Sequence, residues 1–447
     1  MPRRKRITEL SEADKEEMRG ELDIAAVFQV VESIMKDVRE RGDAALIEYT
    51  ERFDGVSLSK DEIEVGDEEI KAAESDIDDA LKDSILLAAD AISAFHTRQK
   101  SKSWFEDFSF AGSPGGSRSA NRSSSSFVAR GSTGNIILGD VFVPLERVGV
   151  YVPASYFSTA LMCVIPAKVA GVPHVIMCTP PSRGGSIDSA TLFAAHIAGA
   201  SRIFRVGGAQ AIAALAFGTE TIPKVQKIVG PGNIYVTAAK ILLRKLTRTE
   251  IDFPAGPSEV MIIADDSAPP DLVAADMMAQ AEHGKHSKAL LLTDSNYLAS
   301  AVEREIMTAV EREIMNNCEE QFWILTGSMD ECVEFANEYA PEHLEIVVRS
   351  PFDVLKKVRN AGSVFIGVFS PVAAGDYATG ANHVLPTAGY ASVLSGLDVF
   401  HFMRRMTVQI ISREGLRMLK DAIVRMARAE GMPLHAHSVE ARFTRSE

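Results

Sequence analysis

The chain has 447 residues, and its 47 Lys and Arg against 61 Asp and Glu give a formal charge of −14, an excess that repels the phosphates of nucleic acids and anionic membranes. Neither is an expected partner. Apolar residues make up 46% and charged residues 24%, the balance of a globular protein, which excludes disordered and fibrous architectures for most of the length.

At roughly 150 residues per domain the length corresponds to about two to four domains. No apolar run reaches the ~18 residues of a membrane span, and Met1-Pro-Arg-Arg-Lys-Arg leads into acidic, helix-like sequence instead of an apolar signal core. The expected compartment is the cytoplasm. Cys163, Cys178, Cys318 and Cys332 form no C-x-x-C pair and are too scattered for a disulfide framework, so they are read as core thiols without chemistry. Any metal must then be held by His, carboxylate or amide groups.

In chain order, residues 24–100 are helical, with apolar side chains at three-to-four spacing in Ala25-Ala-Val-Phe-Gln-Val-Val-Glu-Ser-Ile-Met and Ile85-Leu-Leu-Ala-Ala-Asp-Ala-Ile. The Ser/Gly-rich stretch 112–126 has too little apolar content to pack and reads as a surface loop or insertion. From Arg147 short β-rich runs alternate with helical ones: Val148–Val152, Ala160–Ala170, His174–Cys178, Ala190–Ala198, Arg202–Val206, Ala209–Phe217, Lys227–Val229, Ile234–Leu243. The pattern resumes after Pro254-Ala-Gly-Pro with Val260–Ala264, Asp271–Ala281 and Ala289–Thr293, and continues to Phe365. Such alternation means βαβ units and two parallel α/β sheets. The last fifty residues read as helical, an arm of the kind that packs on a neighbouring subunit.

Parallel α/β sheets place ligands at the carboxyl ends of strands. Three Gly-rich turns stand beside predicted strands: Val206-Gly-Gly-Ala-Gln210, Val229-Gly-Pro-Gly-Asn233 and Pro254-Ala-Gly-Pro-Ser258. Glycine there permits close backbone approach, and a following helix offers free amide hydrogens to a pyrophosphate. None is a G-x-G-x-x-G fingerprint, so plain tight turns are the alternative. Gln280-Ala-Glu-His283 presents an amide oxygen and an imidazole on one helix face. Asp376 sits in a Gly-flanked turn, His383 follows, and Glu430 and His435 lie in the terminal segment; two histidines, a carboxylate and an amide oxygen suit a catalytic zinc. Pro341-Glu-His-Leu-Glu345 sets a carboxylate beside an imidazole where a helix ends and a strand begins, a pair able to take protons in successive steps or simply a helix-terminal charge pair. His96, His174, His196 and His401 are read as structural.

Gly256-Pro-Ser-Glu-Val, Gln280-Ala-Glu-His-Gly, Pro341-Glu-His-Leu-Glu and Gly375-Asp-Tyr-Ala-Thr-Gly-Ala-Asn-His-Val-Leu-Pro-Thr387 stand in the order and spacing of one family, and from Val27 to Arg442 the chain resembles the histidinol dehydrogenases. The resemblance implies zinc ligands at Gln280, His283, Asp376 and His435, and proton acceptors at Glu342 and His343. It implies substrate contacts at Ser258, Gln280, His283, His343, Asp376, His383, Glu430 and His435, and NAD contacts at Tyr151, Gln210 and Asn233. His435 lies five residues after Glu430, as the family's ligand does, which sets it apart from His437. The implied fold is two Rossmann-like parallel-sheet domains with small helical terminal segments. The expected division is 1–28 as an N-terminal helical segment, 29–150 with 259–397 as the first α/β domain, 151–258 as the second, NAD-side domain, and 398–447 as a C-terminal helical arm.

The implied reaction is oxidation of L-histidinol through the aldehyde to L-histidine with two NAD reduced, the last steps of histidine biosynthesis, by a homodimer holding one zinc per subunit. A related zinc and NAD enzyme acting on another polar alcohol, such as a sulfonated propanediol, is the alternative. The chain departs from the family in the loop after Tyr151-Val-Pro, which lacks the usual Gly-Gly pair, and in the Ser/Gly-rich stretch.

Overall fold

The βαβ text folds into two separate parallel sheets. The computed structural model describes residues 2–20, 23–108, 136–254, 256–312 and 321–444. The chain divides into one unit of residues 1–99 with 145–402 and a second of residues 100–144 with 403–447.

In the first unit a six-stranded parallel sheet runs Arg3–Arg6, Phe322–Thr326, Lys288–Thr293, Glu259–Ala264, His343–Val347, Ser363–Ile366. A five-stranded parallel sheet runs Arg202–Arg205, His174–Thr179, Arg147–Tyr151, Lys227–Val229, Glu250–Ile251. Their inner strands are unbroken apolar runs, such as Val260-Met-Ile-Ile-Ala, because helices cover a parallel sheet on both faces. In the five-stranded sheet the chain first adds strands to one side of Arg147–Tyr151 and then crosses to the other with Lys227–Val229. That reversal is the switch point at which a doubly wound sheet opens a crevice.

Helices Phe28–Arg41 and Asp43–Asp54 bury Val31, Met35, Val38, Leu46 and Tyr49 in one core with Ile176, Phe204 and Ile212. They therefore pack on the five-stranded sheet, whereas the sequence grouping put residues 29–150 with 259–397. Local amphipathic spacing shows that a helix has a face to bury but not against which sheet.

The expectation of helical ends is corrected at two strands. Arg3-Arg-Lys-Arg6, inside the 1–28 segment, is an edge strand paired in parallel with Phe322–Thr326. Long basic side chains suit a sheet edge, where charge discourages further pairing. Here Arg4 pairs with Glu303 at 3.7 Å and Lys5 with Asp14 at 2.7 Å, while Arg3 lies over the Trp323 ring at 5.0 Å. In the second unit Met403–Ile411, read as part of the helical arm, pairs antiparallel with Ile136–Pro144, which also pairs with Trp104–Asp107. Helices Arg413–Ala429 and Pro433–Thr444 follow and bury Val424, Ala427, Ala436 and Val439 together. The stretch 112–126 and Cys318 lie outside the described residues. Among the described residues no helix is long and apolar enough to cross a membrane.

Candidate active site

Helix Met329–Tyr339 starts in a capping box, Ser328 with Glu331, and stops at Ala340, a non-glycine residue with φ of +55°. Pro341 follows, and a residue before proline is driven out of the right-handed helical region, so the chain turns sharply into strand His343–Val347. Glu342 and His343 thereby reach the amino end of the six-stranded sheet, beside Ser258 at the start of the neighbouring strand. The candidate residues Tyr151 and Asn233 stand at or just beyond the carboxyl ends of strands in the five-stranded sheet, whereas Ser258, Glu342 and His343 stand at the amino ends of strands in this one.

A cavity of about 750 Å³ gathers Asn233, Ser258, His283, Glu342, His343, Asp376 and His383. Asn233 comes from the carboxyl edge of the five-stranded sheet and the catalytic candidates from the amino edge of the six-stranded one. A second cavity, of about 700 Å³, is lined by Tyr151, Gln210 and Asn233. Asn233 belongs to both. The structure thus brings together the candidate substrate residues of the first unit, except the buried Gln280, and groups the three candidate NAD residues next door.

Glu342 and His343 are both buried. Glu342 Oε2 accepts the Glu259 N–H at 2.9 Å and lies 3.5 Å from His343 Nδ1. His343 Nδ1 is also 3.2 Å from the Glu259 carbonyl oxygen, and Nε2 is 3.8 Å from Asp376 Oδ1. Burial opposes the imidazolium, but the carboxylates of Glu342 and Asp376 outweigh it and push His343 up to about 9. Asp376 rides on helix Val372–Tyr377, whose Gly375 faces Phe365 so closely that a Cβ would meet the ring at 2.6 Å. The Asp376 carbonyl oxygen lies 2.9 Å from His383 Nδ1, and Thr159 Oγ1 lies 3.3 Å from His383 Nε2. Burial first of all lowers the pKa of His383, favouring neutral imidazole.

Gln280 is buried near the end of helix Pro270–Ala281, and His283 is exposed on the turn after it. The Gln280 Nε2 is buried with no hydrogen-bond partner among the described residues. The Gln280 amide oxygen, the His283 imidazole and the Asp376 carboxylate are the donor types that zinc takes. Among the described residues no group of three or more His, Cys, Asp or Glu converges to hold a metal ion. Glu430 and His435 belong to the second unit and are exposed, at the end of helix Arg413–Ala429 and in helix Pro433–Thr444.

The turn that carries Asn233 is braced from within. Asp252 Oδ2 accepts the Gly230 N–H at 2.8 Å, Lys240 Nζ donates to the Gly230 carbonyl at 2.9 Å, and Lys240 and Asp252 form a fully buried ion pair. Gly230 has φ of +112°, and a Cβ there would lie 2.1 Å from the Tyr151 carbonyl oxygen. Asn233 Oδ1 caps helix Ile234–Leu246 by accepting the N–H groups of Tyr235 and Val236. Tyr151, despite the Gly-free loop after it, faces the cavity, and its Oη accepts the Gly208 N–H at 3.2 Å.

Sequence reasoning missed Glu259, Tyr339, Lys240 and Asp252. Lys240 carried a signal, a lone cation on the apolar face of its helix. The thiols of Cys163, Cys178 and Cys332 are buried, and burial raises their pKa values, consistent with no chemistry. His96, fully buried with Nδ1 2.7 Å from Gln99 Oε1, fits its structural reading.

Residues 17–443 match the family model described as histidinol dehydrogenase. The histidinol dehydrogenase of Methanosarcina mazei is 45% identical over 450 residues, covering 98% of this chain and 97% of its own. That of Natronomonas pharaonis is 46% identical over 423 residues, covering 92% and 93%. The crystal structure of histidinol dehydrogenase from Elizabethkingia anophelis superposes with a TM-score of 0.87 at 34% identity, covering 99% of this chain and 98% of that one.

Proposed function

We propose that this chain, which belongs to the histidinol dehydrogenase family, oxidises L-histidinol through the aldehyde to L-histidine, reducing two NAD. The observation that carries the reading is the pair of cavities sharing Asn233, one holding the proton acceptors and the other the nucleotide-side residues. An amino alcohol seated among Ser258, His343, Asp376 and His383 would lie beside a dinucleotide that enters over Tyr151 and Gln210.

His343 takes the hydroxyl proton as the first hydride leaves the alcohol carbon. As a base it must be neutral, so any cation that neutralises Asp376 favours this role by removing part of the pull on the imidazolium. Glu342 then takes a proton from water as the water oxygen attacks the aldehyde carbon, and the hydrate loses the second hydride to become the carboxylate. Glu342 is suited to this because a backbone N–H fixes one of its oxygens. The overall change consumes one water and two NAD and releases two NADH and three protons from alcohol to carboxylate.

Gln280, His283, Asp376 and His435 would hold zinc, which would supply a Lewis acid for positioning the substrate, and NAD would supply the hydride acceptor. His383 binds and orients substrate, its imidazole kept neutral by burial. Glu430 and His435 are placed in a homodimer by a C-terminal arm that extends onto the neighbouring subunit. Exposed apolar side chains on that unit, among them Met406, Ile410, Met426 and Leu434, support an interface.

Initial rates of NADH formation by the zinc-loaded enzyme with histidinol and with a sulfonated propanediol test the reading. Turnover of histidinol supports it. No NADH from histidinol, with turnover of the sulfonated alcohol, establishes the alternative substrate instead.

A further inference from the structure

We propose that Asp54 accepts the adenosine ribose hydroxyls of NAD and sets a preference for NAD over NADP; this rests on the NAD reading above. The nucleotide-side cavity opens at the switch point of the five-stranded sheet, next to the amino ends of helices Gly208–Phe217 and Ile234–Leu246. Asn233, shared with the catalytic cavity, marks where the nicotinamide must sit to receive hydride. The rest of the dinucleotide then extends into the remainder of this cavity, where Asp54 lies with Tyr151 and Gln210.

Doubly wound dinucleotide sites ordinarily take the ribose with a carboxylate after the second strand. Here the second strand, His174–Thr179, runs into Pro180-Pro181 and supplies none. Among the residues lining the cavity Asp54 is the one acidic side chain. It comes from a helix outside the sheet, Asp43–Asp54.

Among the described residues nothing accounts for that carboxylate. Its Oδ2 is buried without a hydrogen-bond partner, and it stands in the last turn of its helix, the end whose exposed carbonyls disfavour negative charge. Burial without donors pushes its carboxyl up to about 6. Vicinal ribose hydroxyls would supply the missing donors. A 2′-phosphate in their place would bring like charge against the carboxylate. Arg52, on the same cavity, is then left to attract that phosphate once Asp54 is neutralised.

The test is direct titration of the zinc-loaded protein, without substrate, by NADH, NADPH and 2′-deoxy-NADH, following nicotinamide fluorescence. The wild type is expected to bind NADH at least about tenfold more tightly than either analogue, the scale of one hydrogen bond to a charged group. Asp54→Ala is expected to lose about tenfold for NADH and to bind all three within a few-fold of one another. Asp54→Asn keeps an acceptor without charge, so NADPH binding is expected to rise. An unchanged NADH preference and an unchanged 2′-deoxy penalty in both variants would overturn the assignment of Asp54. A wild type that binds none of the three would instead remove the NAD reading, and the proposal with it.

Discussion

Glu259 and Glu342 accept each other's backbone N–H, at 2.9 Å from Glu259 N to Glu342 Oε2 and 3.3 Å from Glu342 N to Glu259 Oε1. The two segments that supply Ser258 and His343 are thus locked together beside the cavity. The Tyr339 Oη lies 2.7 Å from Glu259 Oε2 and 2.9 Å from the Met18 carbonyl oxygen, and one hydroxyl proton cannot serve both. A protonated Glu259 resolves this by donating to Tyr339, which then donates to Met18. Burial, the largest cause, pushes Glu259 up to about 8 from an ordinary 4.5 and makes that state available at neutral pH.

A folded-state pKa raised above the unfolded one contributes stability that is full below about 4.5 and lost as pH rises through about 8. Glu259→Gln keeps every hydrogen bond of the neutral form and has no charge to develop. Urea unfolding of both proteins between pH 5 and 9 is expected to show the wild type falling relative to the variant as pH rises. Parallel profiles would show that Glu259 does not titrate with folding.

The buried Lys240 and Asp252 pair braces the turn between the cavities. Lys240→Met leaves a buried carboxylate without its cation and is expected to cost about 3–5 kcal/mol. Lys240→Met with Asp252→Asn is expected to recover part of this, because no lone charge remains. Denaturant unfolding of the three proteins measures both quantities, and additive losses would show that the pair is not coupled.

His283 is exposed on its turn, so His283→Ala is expected to leave the fold intact while zinc content and activity fall together. Metal analysis after dialysis, with circular dichroism as the control for folding, checks this. Full zinc occupancy would exclude His283 as a ligand.

Glu342→Gln keeps an acceptor for the Glu259 N–H but cannot take a proton from water. Aldehyde oxidation is expected to slow by about 10²–10⁴-fold, the usual worth of a general base, and alcohol oxidation by much less. Single-turnover assays started from histidinol and from histidinal separate the steps. Equal losses would remove this division of labour from Glu342 and His343.

Much of this was legible locally. Val260-Met-Ile-Ile-Ala and His174-Val-Ile-Met-Cys read as buried strands because parallel sheets exclude alternation, and the structure places strands at Glu259–Ala264 and His174–Thr179. Arg3–Arg6 was hidden because its strand state comes from a partner more than three hundred residues away, against a composition that looks solvated. Met403–Ile411 was hidden in the same way, through pairing with Ile136–Pro144. The motif residues were visible one by one, but the meeting of one sheet's amino edge with another's carboxyl edge is a property of chain topology. Asp54 gave no signal, since an Asp before a Gly reads as an ordinary helix end until the cavity is seen.

The most direct test of the central claim is the yield of NADH from limiting L-histidinol with excess NAD and zinc-loaded enzyme. Two NADH per histidinol, with L-histidine as the product, is the expected result. A yield of one with the aldehyde accumulating, or no NADH at all, would contradict it.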